Sequence, residues 1–118
     1  MKTIFLLLLT FVFASINAQS SCSDIIENVK SKGYGSSFFS PSSEAISQVT
    51  FYDVTVDYKT YYFAVVKFSS NFYKEYIYQV GSNTKMNYSM NYLTSAGKSF
   101  WKFIAPYNEN LKCAPDFD

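Results

Sequence analysis

The chain has 118 residues, with ten Lys plus Arg against nine Asp plus Glu, no histidine, a formal net charge of +1 and 20% aromatic residues. That length suffices for one hydrophobic core and not for two. Near-neutrality without a single arginine excludes a strong counterion-release contribution to nucleic-acid binding, and the lack of histidine removes the commonest general base and metal ligand.

At the start, Lys2 precedes an apolar run over residues 4–13, and the small residues Ala14, Ser15 and Ala18 follow. Such a run is too short to cross a hydrocarbon core of about 30 Å but matches the apolar region of a secretory leader. Residues 1–18 therefore read as a signal peptide, which makes the chain secreted or periplasmic, with no stable membrane span after leader removal. Two cysteines remain, Cys22 and Cys113, and an exported chain with an even cysteine count reads as disulfide-bonded. The bridge would close a loop of 113 minus 22, or 91, residues. In the chain-entropy description such a loop is worth roughly 4 to 5 kcal/mol.

Residues 23–32 read as a short helix: Ser21 or Ser23 can cap it, Asp24 and Glu27 suit its first turn, and Lys30 and Lys32 suit its last. Gly33 stands at its stop, and Ile25, Ile26 and Val29 give it an apolar face. Residues 33–43, rich in Gly and Ser with Pro41, read as a loop from which Phe38 and Phe39 pack onto the core. Residues 19–42 thus form an N-terminal helix and a Gly/Ser-rich loop.

Three stretches rich in β-branched and aromatic residues follow, over residues 45–56, 61–68 and 72–80, separated by Asp57-Tyr58-Lys59-Thr60 and Ser69-Ser70-Asn71. Their short connections predict a three-stranded antiparallel meander. The middle strand is apolar on both sides, with Tyr62, Ala64, Val66 and Phe68 facing one way and Tyr61, Phe63 and Val65 the other. That pattern is expected of a strand covered on both faces. The added N-terminal helix is the available cover for the face opposite the C-terminal helices.

Residues 82–93 leave helix and strand both open, since Met86, Met90 and Leu93 suit a helical face while Tyr88, Met90 and Tyr92 alternate with polar neighbours. Beyond them, Phe100, Trp101, Phe103 and Ile104 predict a helix over residues 98–105 that Pro106 ends. Residues 106–118 are a tail tied down by Cys113.

No constellation names a reaction, and no catalytic residue, cofactor or metal site is expected. Asp53 and Asp57 read as a solvated hairpin end, and Ser95, which has no histidine to activate it, as a helix cap or turn. The eleven tyrosines are the most distinctive feature. Their rigid rings with a polar tip suit a binding surface, for which Tyr61, Tyr73, Tyr76 and Tyr78 are the candidates. The reading is a non-enzymatic module, monomeric or weakly dimeric, that binds a protein, glycan or surface component. A nucleic-acid-binding domain is the alternative and would need Lys59, Lys67, Lys74 and Lys85 to converge on one face.

Ser43-Glu44-Ala45-Ile46 leading to Val49 and Phe51-Tyr52-Asp53, then Tyr76-Ile77-Tyr78, Tyr88, Ser95-Ala96-Gly97, Phe100 and Ile104, together resemble a KTSC domain. That family is named for a C-terminal region of some lysyl-tRNA synthetases. The resemblance spans residues 43–104 and places a KTSC-like domain at 43–105. It implies a compact α+β fold in which a three-stranded sheet is followed by two helices, and so implies that residues 82–93 are helical. It implies no catalytic residues, and the RNA binding suggested for the family is the source of the alternative reading.

Overall fold

The computed structural model describes residues 18–115, with side chains from residue 21 on. Apart from Ala18, the expected leader lies outside the described residues. The fold is α+β. Helix α1 (Ala18–Lys32) leads into strands β1 (Tyr34–Phe39), β2 (Ile46–Val56), β3 (Lys59–Phe68) and β4 (Asn71–Val80), followed by α2 (Thr84–Asn91) and α3 (Ala96–Phe103). A 3-10 turn (Ala105–Tyr107) and the short α4 (Asn108–Leu111) complete it.

The sheet has four strands in the order β1-β2-β3-β4, all neighbours antiparallel, which corrects the three-strand expectation. The extra strand comes from the supposed loop at 33–43. Its Gly and Ser residues carry no strand signal, yet an edge strand needs only backbone pairing with one neighbour. Ser37 lies opposite Thr50 with their hydroxyls 2.8 Å apart, and Gly35 lies opposite Tyr52. A Cβ on Gly35 would stand 2.9 Å from the Tyr52 ring, so only glycine lets that ring lie across the edge strand. Of the two phenylalanines, Phe38 packs inward while Phe39 stays exposed.

Alternation along β3 divides the core in two. On one face Ala64 and Val66 join Ile46, Val49, Phe51, Tyr78 and Val80 under Tyr88 of α2 and Phe100 of α3. On the other, Val65 joins Val54 and Ile77 under Val29 of α1, with Ile25 and Ile26 at the rim. Helix α1 therefore covers the face opposite α2 and α3. It begins five residues earlier than expected, so Asp24 and Glu27 lie beyond its first turn, which holds no acidic residue.

A tight turn and a helix cap set the local geometry. Val56 pairs with Lys59, leaving Asp57 and Tyr58 as a two-residue loop with φ of 52° and 65°. Positive φ at both positions is what lets a tight hairpin follow the right-handed twist of its strands. At α3, Ser95 is extended and its Oγ accepts a hydrogen bond from Lys98 N at 3.2 Å, which fixes where the helix starts. In place of a plain tail, residues 105–111 form the 3-10 turn and α4, and Asn110 Nδ2 donates to Gln79 O at 2.8 Å. Cys22 and Cys113 are bridged, with their Cα atoms 5.7 Å apart, so this segment is fastened to the start of α1.

Candidate binding surface

Antiparallel order brings the end of β1, the start of β2, the end of β3 and the start of β4 to one end of the sheet. The connection at 40–45 crosses this end and is held by serines. Ser43 Oγ accepts from Ile46 N at 3.1 Å and from Ala45 N at 3.3 Å, while Ser69 donates through Oγ to Ser43 O and through N to Ala45 O, both at 2.9 Å. The β3–β4 turn thus clamps the connection from below, and Ser43 serves local geometry.

Among the described residues, three clefts border the connection. The largest, of about 480 Å³, lies between it and the α2–α3 loop, where Phe39, Pro41 and Leu93 stand among Ser40, Ser42, Thr94 and Ser95. A second, of about 270 Å³, runs from Glu44 and Ala45 past Phe68 and Tyr76 to Trp101. A third, of about 240 Å³, is bounded by Phe39, Pro41, Gln48, Lys67 and Phe72. Phe39, Phe72, Tyr73, Leu93 and Trp101 are each at least half exposed. The rings of Phe72 and Tyr73 lie 4.2 Å apart. The polar groups among them are hydroxyls and amides, with Glu44 and Lys67 the charged residues lining the clefts. Large apolar side chains with uncharged polar partners can take up the apolar face of a peptide or sugar but have little to offer a phosphate chain.

The four tyrosines expected to form one surface are dispersed. Tyr73 belongs to the exposed cluster. Tyr76 is half-buried against Phe68. Tyr78 is 1% exposed and packs edge-on against Phe100, so it belongs to the core; burial, with Tyr76 beside it, pushes its phenol well above the usual range. Tyr61 is half-buried on the α1 face, with Lys59 Nζ 5.5 Å from its ring centre. The lysines are dispersed too. Lys59 and Lys67 sit at opposite ends of β3, about 26 Å apart by strand rise. Lys74 lies over Tyr76 on β4, and Lys85 is on α2.

The remaining residues of the KTSC resemblance are structural in their contacts. Ile46, Tyr78, Tyr88, Phe100 and Ile104 share one core cluster, Ser95 caps α3, and a Cβ on Gly97 would meet Ala45 Cβ at 3.3 Å. Tyr88 stacks on Tyr92 and meets Phe38 and Phe51. Its hydroxyl and the Ser40 Oγ are buried and approach each other without a well-formed hydrogen bond to any protein atom. Burial pushes the Tyr88 phenol up to about 12, the Ser40 hydroxyl opposing and Tyr92 adding to the rise.

Sequence reasoning missed Phe39, Phe72, Leu93 and Trp101. Trp101 had a readable signal, since it falls one residue after Phe100 and so about 100° around the helix from the Phe100, Phe103, Ile104 stripe. Among the described residues no group of His, Cys, Asp and Glu is placed to hold a metal ion, and no helix is long and apolar enough to cross a membrane. No family model matches the chain, and neither the curated proteins nor the solved structures contain a match.

Proposed function

We propose that the chain is an exported, non-enzymatic binding module built on a KTSC-like domain, which takes a protein or surface component on the aromatic end of its sheet. The observation that carries this reading is the gathering of Phe39, Phe72, Tyr73, Leu93 and Trp101 around the clamped connection at 40–45, beside clefts large enough to receive side chains or sugar rings. The disulfide and the lack of a membrane-crossing helix among the described residues are compatible with an extracellular or periplasmic site of action.

A photo-crosslinking residue at position 93 tests it, with position 58 as control, because Tyr58 is as exposed but occupies the opposite end of the sheet. The purified protein is offered to its own culture medium and cell surfaces. A discrete adduct from position 93 and none from position 58 is expected, and it should be lost with Phe39→Ser. Equal labelling from both positions would overturn the assignment of the aromatic end. The nucleic-acid alternative gains no support from lysines spread over both ends of β3, β4 and α2. Affinity for single-stranded RNA at physiological salt should be no tighter than tens of micromolar.

A further inference from the structure

Asn87-Tyr88-Ser89 on α2 is the chain's single Asn-x-Ser/Thr triplet, the acceptor signal for N-linked glycosylation in a secreted protein. We infer that Asn87 is a glycan attachment site and that the sugar covers the exposed methionines beside it. The inference rests on the export reading above. Three features carry it. The helical turn sends Tyr88 fully into the core while Asn87 faces solvent, so a bulky group on Asn87 meets no packed neighbour. The hydrogen bonds that Asn87 makes in the helix use its backbone: its N–H donates to Asn83 O at 3.0 Å and its carbonyl accepts Asn91 Nδ2 at 2.8 Å. Finally, Met86 and Met90, one residue before and three after, are 63% and 74% exposed, so two apolar thioethers border Asn87 on the same helix. Pyranose rings attached at Asn87 would lay their C–H faces over these thioethers.

The co-reactant is a lipid-linked oligosaccharide diphosphate. The Asn87 side-chain nitrogen bonds to the anomeric carbon as the bond from that carbon to the diphosphate oxygen breaks; the lipid diphosphate leaves and the amide loses one proton to a base. In the folded chain Ser89 Oγ donates to Met86 O at 2.8 Å, and the triplet is helical. Transfer therefore belongs to the period before α2 closes. Chain order allows that period, because α3, which packs beside α2, and Cys113, which completes the bridge, both follow the triplet in synthesis.

The test expresses the full chain in eukaryotic cells with an oligosaccharyltransferase, beside a form whose first 18 residues are replaced by a proven secretory leader, and collects protein from the medium. Secreted protein should run one glycan heavier, collapse on treatment with a peptide N-glycosidase, and carry Asp at position 87 afterwards. Ser89→Ala should be secreted without the glycan and Ser89→Thr with it. Peroxide should oxidise Met86 and Met90 several-fold faster in the glycosidase-treated protein. Secretion of either form without glycan would overturn the site. Equal oxidation rates would overturn the covering role. A glycan on the leader-replaced form, with the native form retained in the cytosol, would overturn the export reading and with it attachment to the native chain.

Discussion

Lys30 Nζ stands 2.6 Å from Glu75 Oε1 and 2.8 Å from Oε2, so the last turn of α1 is fastened to β4 across 45 residues of sequence. Its place is informative and its energy small. The two side chains are 40% and 26% exposed, and ion pairs so open to water contribute under about 1 kcal/mol. The holding force lies next door in Val29, which is 4% exposed against Val54, Val65 and Ile77. Lys30→Ala should lower Tm by a few degrees at most. Val29→Asp, which puts a carboxylate into that cluster, should lower it by about 10 °C or more, from a loss of about 2 to 4 kcal/mol. Parent-like melting of Val29→Asp would mean that α1 is not part of the folded core.

The Cys22–Cys113 bridge spans 91 residues of sequence. Replacing both cysteines with alanine frees the unfolded chain and should cost roughly 4 to 5 kcal/mol. For a domain of this size that is a fall in Tm of about 20 °C or more, read by calorimetry. A drop of only a few degrees would show that the unfolded chain is already constrained.

Stability should also fall at high pH. The ordinary tyrosine value is 10.0 and Tyr88 is raised to about 12, with Tyr78 raised as well, so the folded state holds protons that the unfolded state releases. The contribution is fully present below pH 10.0 and is lost as pH rises through about 12. Denaturant midpoints should be level up to pH 9 or so and then decline, with tyrosinate absorbance rising as the chain unfolds. Tyr88→Phe removes a buried hydroxyl without a well-formed partner. It should leave neutral-pH stability equal or higher by up to about 1 kcal/mol and flatten part of the alkaline decline.

The Asp57–Tyr58 turn gives a backbone test. Tyr58 holds φ at 65° with its side chain in solvent, so nothing but conformational preference acts there. Tyr58→Gly should leave Tm unchanged or raise it by a few degrees, since relief of the left-handed penalty and the greater freedom of unfolded glycine oppose each other. Tyr58→Val should lower it by about 4 to 8 °C, because a β-branched residue is poorest at positive φ. Identical melts for the two variants would mean that the hairpin closes differently in solution.

What could be read from the sequence was whatever burial writes into alternation. The two-sided apolar pattern of β3 and the apolar face at Ile25, Ile26 and Val29 together placed helices on both faces of the sheet. Strand β1 was invisible because an edge strand is specified by its neighbour: Gly35 and Ser37 have value only opposite Tyr52 and Thr50. The aromatic end was harder still. Tyr76 and Tyr78 have the same chemistry as Tyr73, and only the three-dimensional position of Phe100 and Phe68 decides that two of them are covered and one is not. Phe39, Phe72, Leu93 and Trp101 come from four separate elements or loops, so no local window contains them together.

The bridge between residues 22 and 113 has a mechanical meaning as well. It turns residues 22–113 into a covalent ring that the chain enters and leaves at one point. Tension applied where the chain enters and leaves runs across a sulfur–sulfur bond and bypasses every strand and helix inside the ring, so the meander carries no load. A protease that cuts once, at the exposed connection around Pro41 or at the Tyr58 turn, opens the ring without parting the pieces. Under oxidising conditions a nicked molecule gains one water and keeps both fragments, and its halves separate only when the bridge is reduced.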